Sequence, residues 1–313
     1  MKRVVTGGEL TQRAMRPADL LDRYLAHVEA DIRRFNLLGE AHSRGCPACG
    51  GDGVNDFVRL GFTYQRCRAC GSLFVSPLPA PARLARYHAD GDAEKFRREQ
   101  IHQATADVRG RHSVAPRARW VLAAATARLG PRLTMVHAGP EAPLLIDLLA
   151  ASSSVVRWPD ARTEPPLAAA DCVLAFDALE WADDLSQALS RCRAALRQGG
   201  LLFVTTVSGD GFEIRMLGAR SRSLVPPMHL HLLSRAGWRT ALARAGFALV
   251  EYSTPGELDV QAVAEACRRH SDLALPAVID QLVRSEDEQV ARAFQEVLQQ
   301  ACLSSLVQLV AEA

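Results

Sequence analysis

RLTMVHAGPEAPLLIDLLAASSSVVRWPD, residues 132–160, decides the fold, because it reads in order as strand, tight turn, helix and strand. Leu133, Met135 and Val136 make a short buried strand and Gly139 begins the turn. Leu144, Leu145, Leu148 and Leu149 make one apolar helix face, and Val155 and Val156 open a second strand. Such a βαβ unit predicts an α/β chain with a Rossmann-like sheet and helices on both of its faces.

In nucleotide-binding units of this form, several glycines let the backbone approach the ligand, and the helix start offers unpaired N–H donors. Here Gly139 holds the first glycine position, and Glu141 and Pro143 stand in the next two. Glu141 places a carboxylate beside the helix start and Pro143 removes a donor, so the loop reads as self-filled and hostile to an anionic group. The acid that would hold ribose hydroxyls about 20 residues further on has one candidate, Asp160 behind Trp158 and Pro159; the alternative is a surface-turn residue.

The chain has 313 residues, 48% of them hydrophobic, enough for one large domain and a small module. It shows no apolar run of membrane-spanning length and no signal peptide at its start, so no membrane and a cytoplasmic location are expected. A net charge of +2, with arginines spread along the chain, does not point to nucleic acid; small-molecule work fits better.

Four of the eight cysteines form two knuckles, CPACG and CRACG, supplying Cys46, Cys49, Cys67 and Cys70. This spacing puts four thiolates around one tetrahedral ion, and the glycine after each second cysteine permits the knuckle's tight turn. Four protein ligands leave no open position, so the ion is structural. Zinc is expected, with rubredoxin-like iron the alternative. VNDFVRLGFTYQR between the knuckles reads as a β-hairpin, too small to fold without its metal. Arg44, Arg59, Arg66 and Arg68 read as a solvated face. Cys172, Cys192, Cys267 and Cys302 read as core residues.

Helical spacing of Leu21, Leu25, Val28, Ile32 and Phe35 predicts an N-terminal helix beginning near Pro17, its packing partner undetermined. The expected divisions are an N-terminal helical segment (1–40), a zinc ribbon (41–78), a polar connector (79–115) and an α/β domain (116–313) with a helical insertion at about 259–302. Within that domain Cys172 to Phe176 is a buried strand, with Asp177 and Glu180 just past its C-terminal end, the side on which open α/β sheets bind ligands. Asp183 and Asp184 begin a helix that Gly199 and Gly200 stop, and LLFVTT follows as a strand. Ser234 caps a helix ended by Gly246. Ser285 and Glu288 form a capping box, and SSLVQLVAEA is expected to pair antiparallel with FALVEYS.

Taken together, the two knuckles, FDALEWADDLSQALSRCRAALRQGGLLFVTT and PPMHLHLLSRAGWRTALARAGFALVEYSTPG resemble a class I S-adenosylmethionine (SAM) dependent methyltransferase with an N-terminal zinc ribbon, of the type found with surface-polysaccharide and natural-product genes. The resemblance covers nearly the whole chain. It implies SAM as cofactor near His137, Gly139, Asp160 and Asp177, and His229 as catalytic base, with His231 the alternative base. The chain departs from the family where glycines give way to Glu141 and Pro143, and where Trp181 replaces the histidine of the acidic LEH segment.

Two functions follow. One is SAM-dependent methylation of a sugar-linked or other small metabolite. The other is a catalytically silent pseudo-methyltransferase that binds a partner biosynthetic protein through its ribbon and N-terminal helix. The sequence leaves a homo-oligomer open.

Overall fold

The computed structural model describes residues 10–139 and 142–313, so the expectation for Glu141 lies outside the described residues. The N-terminal helix Ala18–Arg34 leads to β1 (Ala41–His42), β2 (Gly53–Arg59), β3 (Phe62–Cys67), β4 (Leu73–Val75) and β5 (Leu78–Pro79). The expected hairpin is β2 and β3, paired antiparallel about Leu60 and Gly61, both at positive φ as a twisted two-residue turn requires. After a helical arm come β6 (Thr134–Ala138), the helix Pro143–Ala150, β7 (Ser154–Trp158), β8 (Ala170–Phe176), the helix Leu185–Ala195 and β9 (Leu196–Val207). Then follow β10 (His231–Leu232), the helix Arg235–Arg244, β11 (Ala248–Ser253), three helices between Asp259 and Gln300, and β12 (Leu306–Glu312).

The main sheet runs β11-β12-β9-β8-β6-β7. β6 to β9 are parallel neighbours, and β12 enters antiparallel to β9, pairing in turn with β11 as the sequence predicts. Alternate residues feed opposite layers, which is why these strands are apolar on both faces. Val136, Val173, Ala175, Leu202 and Val204 pack with Leu189, Trp238 and Leu242 on one face. Met135, Cys172, Leu174, Leu201 and Phe203 pack with Val121, Ala125, Leu145 and Leu149 on the other. The helix after β6 is therefore half covered: Leu145 and Leu149 are buried, whereas Leu144 and Leu148 are 46% and 37% exposed, which narrows the expected four-leucine face.

The second sheet runs β10-β4-β3-β2. Its last strand comes from residues 231–232, so pairing crosses the boundary expected at 78/79. The N-terminal helix packs here: Tyr24, Val28 and Ile32 join Phe62, Tyr64, Leu73 and Val75 of the ribbon and Leu224, Leu230 and Leu232 of the main chain segment. It ties the two parts together.

Three details differ from the sequence reading. The stretch expected as connector, 79–115, is helical from Pro81 and runs into the helix Ala115–Leu129 to make one arm, interrupted by two five-residue π turns at Arg97–Ile101 and Gly110–Val114. A π turn inserts a residue and breaks the 3.6-residue period, so the apolar pattern does not show. Gly199 and Gly200 lie inside β9, four residues or more beyond the last helical residue Ala195. Gly199, at φ 72°, donates its N–H to Ala313 O. The helix Glu288–Gln300 is capped by Asp287, whose carboxylate accepts from Gln289 N–H at 2.8 Å, because the Ser285 hydroxyl is used by Asp287 N–H and the proposed capping box does not form.

Candidate functional site

The order of the parallel strands, β7-β6-β8-β9, puts a switch of direction between β6 and β8, and ligands bind such sheets in the crevice beyond those strand ends. Past β8, Asp177 sits at φ 50° with its N–H donating to Thr205 O and its carboxylate accepting from Thr205 Oγ1 at 2.9 Å and from Arg117 Nη1 at 2.7 Å. Arg117 is 15% exposed and the Asp177 side chain 45%, so the carboxylate is held by protein on one side and reaches solvent on the other. Burial opposes its ionisation, and the Arg117 guanidinium overrides that, keeping the carboxyl below the usual range.

The helical arm forms the wall facing Asp177. Glu94 is bidentate with Arg97, at 2.7 Å to Nη2, and Arg97 Nη1 lies 3.2 Å from His102 Nε2. Arg109 carries a charge that acts on Asp177 and His102. Behind Asp177, Glu180 is 5% exposed with Oε2 lacking a hydrogen-bond partner. Burial, then the charge of Asp177, pushes its carboxyl up to about 8, so two neighbouring carboxyls are driven apart in proton affinity. The sequence placed Glu180 beyond the strand but held no sign of Glu94, Arg97, His102, Arg109 or Arg117, whose helical arm it hides.

His229 is half-buried and feels the charges of Asp177, Arg16 and Arg97. Its Nδ1 lies 3.2 Å from Val225 O and 3.1 Å from Val225 N, and its own carbonyl accepts the Tyr64 hydroxyl at 2.6 Å. Burial lowers its pKa to about 4, so the ring is neutral near pH 7. His231 is buried on β10, and neither of its ring nitrogens has a partner. Asp177 and His229 are thus the two predicted residues near enough for the charge of the first to act on the second.

Of the other predicted residues, Gly139 adjoins the strand end that carries Asp177, whereas His137 lies inside a strand and Asp160 in a turn of its own. His137 is 3% exposed inside β6, opposite Arg157 and Leu174. Gly139, at φ 141°, donates its N–H to Trp158 O, and a Cβ there would stand 3.0 Å from that of Ala178. Only glycine fits this approach. Asp160 opens a turn closed by Thr163 N–H on its carbonyl, and both carboxylate oxygens are taken by Arg162, at 2.8 Å to Nη2. The Arg162 guanidinium lies 4.5 Å over Trp181, whose other neighbour is the His88 ring at 4.6 Å.

The four knuckle thiols converge within 4.8 Å of one another. Cys46 and Cys70 sulfurs are 3.6 Å apart, Cys49 and Cys67 3.5 Å, and Cys49 and Cys70 3.7 Å. A tetrahedron of thiolates about 2.3 Å from one ion has edges of about 3.8 Å, so this set fits a single tetrahedral metal. Gly50 and Gly71, at φ 78° and 76°, donate to Cys46 O and Cys67 O and make the expected knuckle turns.

A family model described as a methyltransferase domain matches residues 22–252. Among solved structures, the chain is similar to the 1,6-didemethyltoxoflavin-N1-methyltransferase of Burkholderia thailandensis, solved with bound 1,6-didemethyltoxoflavin and S-adenosylhomocysteine. Identity is 13% over 82% of this chain and 98% of that one, at a TM-score of 0.43. It is also similar to an S-adenosylmethionine dependent methyltransferase of Mesorhizobium loti, at 16% identity over 63% and 98% of the two chains and a TM-score of 0.36. No curated protein matches. Among the described residues no helix is long and apolar enough to cross a membrane.

Proposed function

Since the chain belongs to the methyltransferase-domain family, we propose that it methylates a small metabolite in the cleft beyond β8 and β9, with SAM as donor and the four cysteines holding a structural zinc. The observation carrying this reading is Asp177, a carboxylate fixed by Arg117 yet 45% exposed, at the end of the strand beside the sheet's switch point. Bound there, SAM supplies an electrophilic methyl group on a sulfonium. Asp177 is the acceptor for its ammonium group, and the Gly139 turn is the close approach beside it. Asp160 fits ribose hydroxyls only in exchange with Arg162, which occupies both of its oxygens.

Methyl transfer asks the protein for alignment and for removal of the acceptor's proton. In the tautomer whose Nδ1–H donates to Val225 O, instead of the one whose Nδ1 accepts from Val225 N–H, Nε2 of His229 carries a free lone pair and is the base for that proton. Its neutrality near pH 7 follows from its burial. Arg117 and Thr205 keep Asp177 ionised and oriented while this happens.

Calorimetric titration of SAM and S-adenosylhomocysteine into the metal-loaded protein tests the reading. Binding is expected, weakened by the Asp160–Arg162 pair. Arg162→Ala should therefore tighten it roughly tenfold, the value of one charge-assisted hydrogen bond regained by ribose. Unchanged affinity in that variant would show that Asp160 serves only its turn.

A second reading has a specific observation in its favour: Gly139 packs on Ala178 and Asp160 is used internally, so the donor site is closed by the chain's own side chains. In that case the protein is a silent methyltransferase relative serving a partner biosynthetic protein. Binding by Arg162→Ala with none by the unaltered chain would select it.

A further inference from the structure

In the cleft wall, cations and anions pair off until one guanidinium is left over. Arg97 is committed to Glu94 and Arg117 to Asp177. Arg109 is half-buried near both, and among the described residues its guanidinium forms neither a hydrogen bond nor an ion pair. The charges acting on it are those of Asp177, Arg117, Arg97 and Arg16, so it sits among three other guanidiniums. An unpaired cation among like charges, partly withdrawn from water, opposes folding. Local structure holds it there: Arg97 begins one π turn and Arg109 immediately precedes the other, and such turns redirect side chains without ending a helix.

We propose that Arg109, flanked by Arg97 and Arg117, is the recognition site for a carboxylate or phosphate group on the acceptor, so that the cleft takes a small acid. This deepens the acceptor-site reading and rests on it. The chemistry of the wall suits such a group, because a guanidinium offers a planar fork to a carboxylate or phosphate, and the two neighbouring pairs leave the site with excess positive charge. Glu180 does not cancel that charge, since burial keeps its carboxyl protonated at neutral pH. The anionic group held at the arm would leave the acceptor's other end near Asp177 and His229, the groups that share the electrostatics of this cleft.

The test uses the metal-loaded full chain with inorganic phosphate and acetate as probes at constant ionic strength, alongside S-adenosylhomocysteine. Saturable binding of phosphate, acetate or both is expected at millimolar concentration, and the preferred probe tells phosphate from carboxylate. Arg109→Gln should weaken it roughly tenfold or more, and Arg109→Lys should restore part. Affinity for S-adenosylhomocysteine should be unchanged in both. Because Arg109 has no partner to lose, Arg109→Gln should not lower the unfolding temperature. Absence of anion binding while S-adenosylhomocysteine binds overturns the acidic acceptor and spares the methyltransferase reading. Anion binding without S-adenosylhomocysteine binding does the reverse. Loss of both in Arg109→Gln would assign Arg109 to the donor's own carboxylate, and a lowered unfolding temperature would make it structural; either result overturns the proposal.

Discussion

Removing the thiolate-bound ion is expected to unfold the whole chain in one step. Cys46 and Cys67 are each 2% exposed and share a core with Leu233, Trp238 and Ala241 of the main domain and with Val136, Val173 and Val204 of its sheet. The Ser72 hydroxyl accepts from Ser234 N–H at 3.1 Å, Cys70 O accepts from the Ser234 hydroxyl, and Ser234 caps the helix that carries Trp238. Arg44 reaches across the same seam, donating to the carbonyls of Val75, Asp183 and Leu230. Without the ion, four thiols brought within 4.8 Å of one another lose what holds them, and the helix cap, β10 and the His229 segment lose their support together.

Structural tetrathiolate sites supply on the order of 10 kcal/mol in isolated modules, comparable to the total stability of a domain. Calorimetry of Cys46→Ser, or of the protein stripped by chelator, should show one transition displaced downward by at least about 10 °C, taking about 2–4 °C per kcal/mol for a chain of this size. Two transitions, with the larger unmoved, would mean that the ribbon is an independent module and that the shared core contributes little.

That coupling bears on how much the sequence could disclose. The knuckles, the hairpin, the βαβ unit and the antiparallel return of β12 are legible because each rests on local chemistry: cysteine spacing, glycines with positive φ, and apolar period. Ser234 and Asp184 are legible as caps for the same reason. The arm before its last helix is not, since two π turns put its apolar residues Phe96 and Ile101 out of register with Trp120. With it went Arg97, Arg109 and Arg117, scattered over twenty-one positions and joined only by folding. Asp177 and His229 were accessible because the first follows a recognisable strand and the second a recognisable segment. Asp160 shows the limit of spacing: its distance from the glycine turn suits a ribose acid, yet Arg162, two residues on, supplies a nearer partner.

Stability should peak near pH 6.5 and fall steeply on the acid side. His88, His102 and His231 are lowered to about 3, and His137 and His229 to about 4, in each case by burial first. A histidine whose folded pKa lies below its unfolded value of about 6.5 takes up its proton more readily when the chain is unfolded. Its contribution is complete above about pH 6.5 and is lost as pH falls toward the folded value. His137 and His231, at 3% and 1% exposure, are least screened by solvent. These two alone should weaken the fold by roughly 3 kcal/mol per pH unit between about 6.5 and 4. Glu180 acts with the opposite sign. Its folded value, raised to about 8, makes it a source of stability below its unfolded value of about 4.5, lost as pH rises toward 8. Above about pH 6.5, where the histidines no longer contribute a slope, that loss is uncovered. Denaturant titrations from pH 4 to 9 should therefore show a maximum near 6.5, with Glu180→Gln flattening the alkaline limb. His231→Leu, which removes a ring whose two nitrogens have no partners, should leave neutral stability nearly unchanged and make the acid limb shallower. A maximum near pH 5 would show instead that these rings exchange protons with solvent in the folded state, and that their burial carries no penalty for charge.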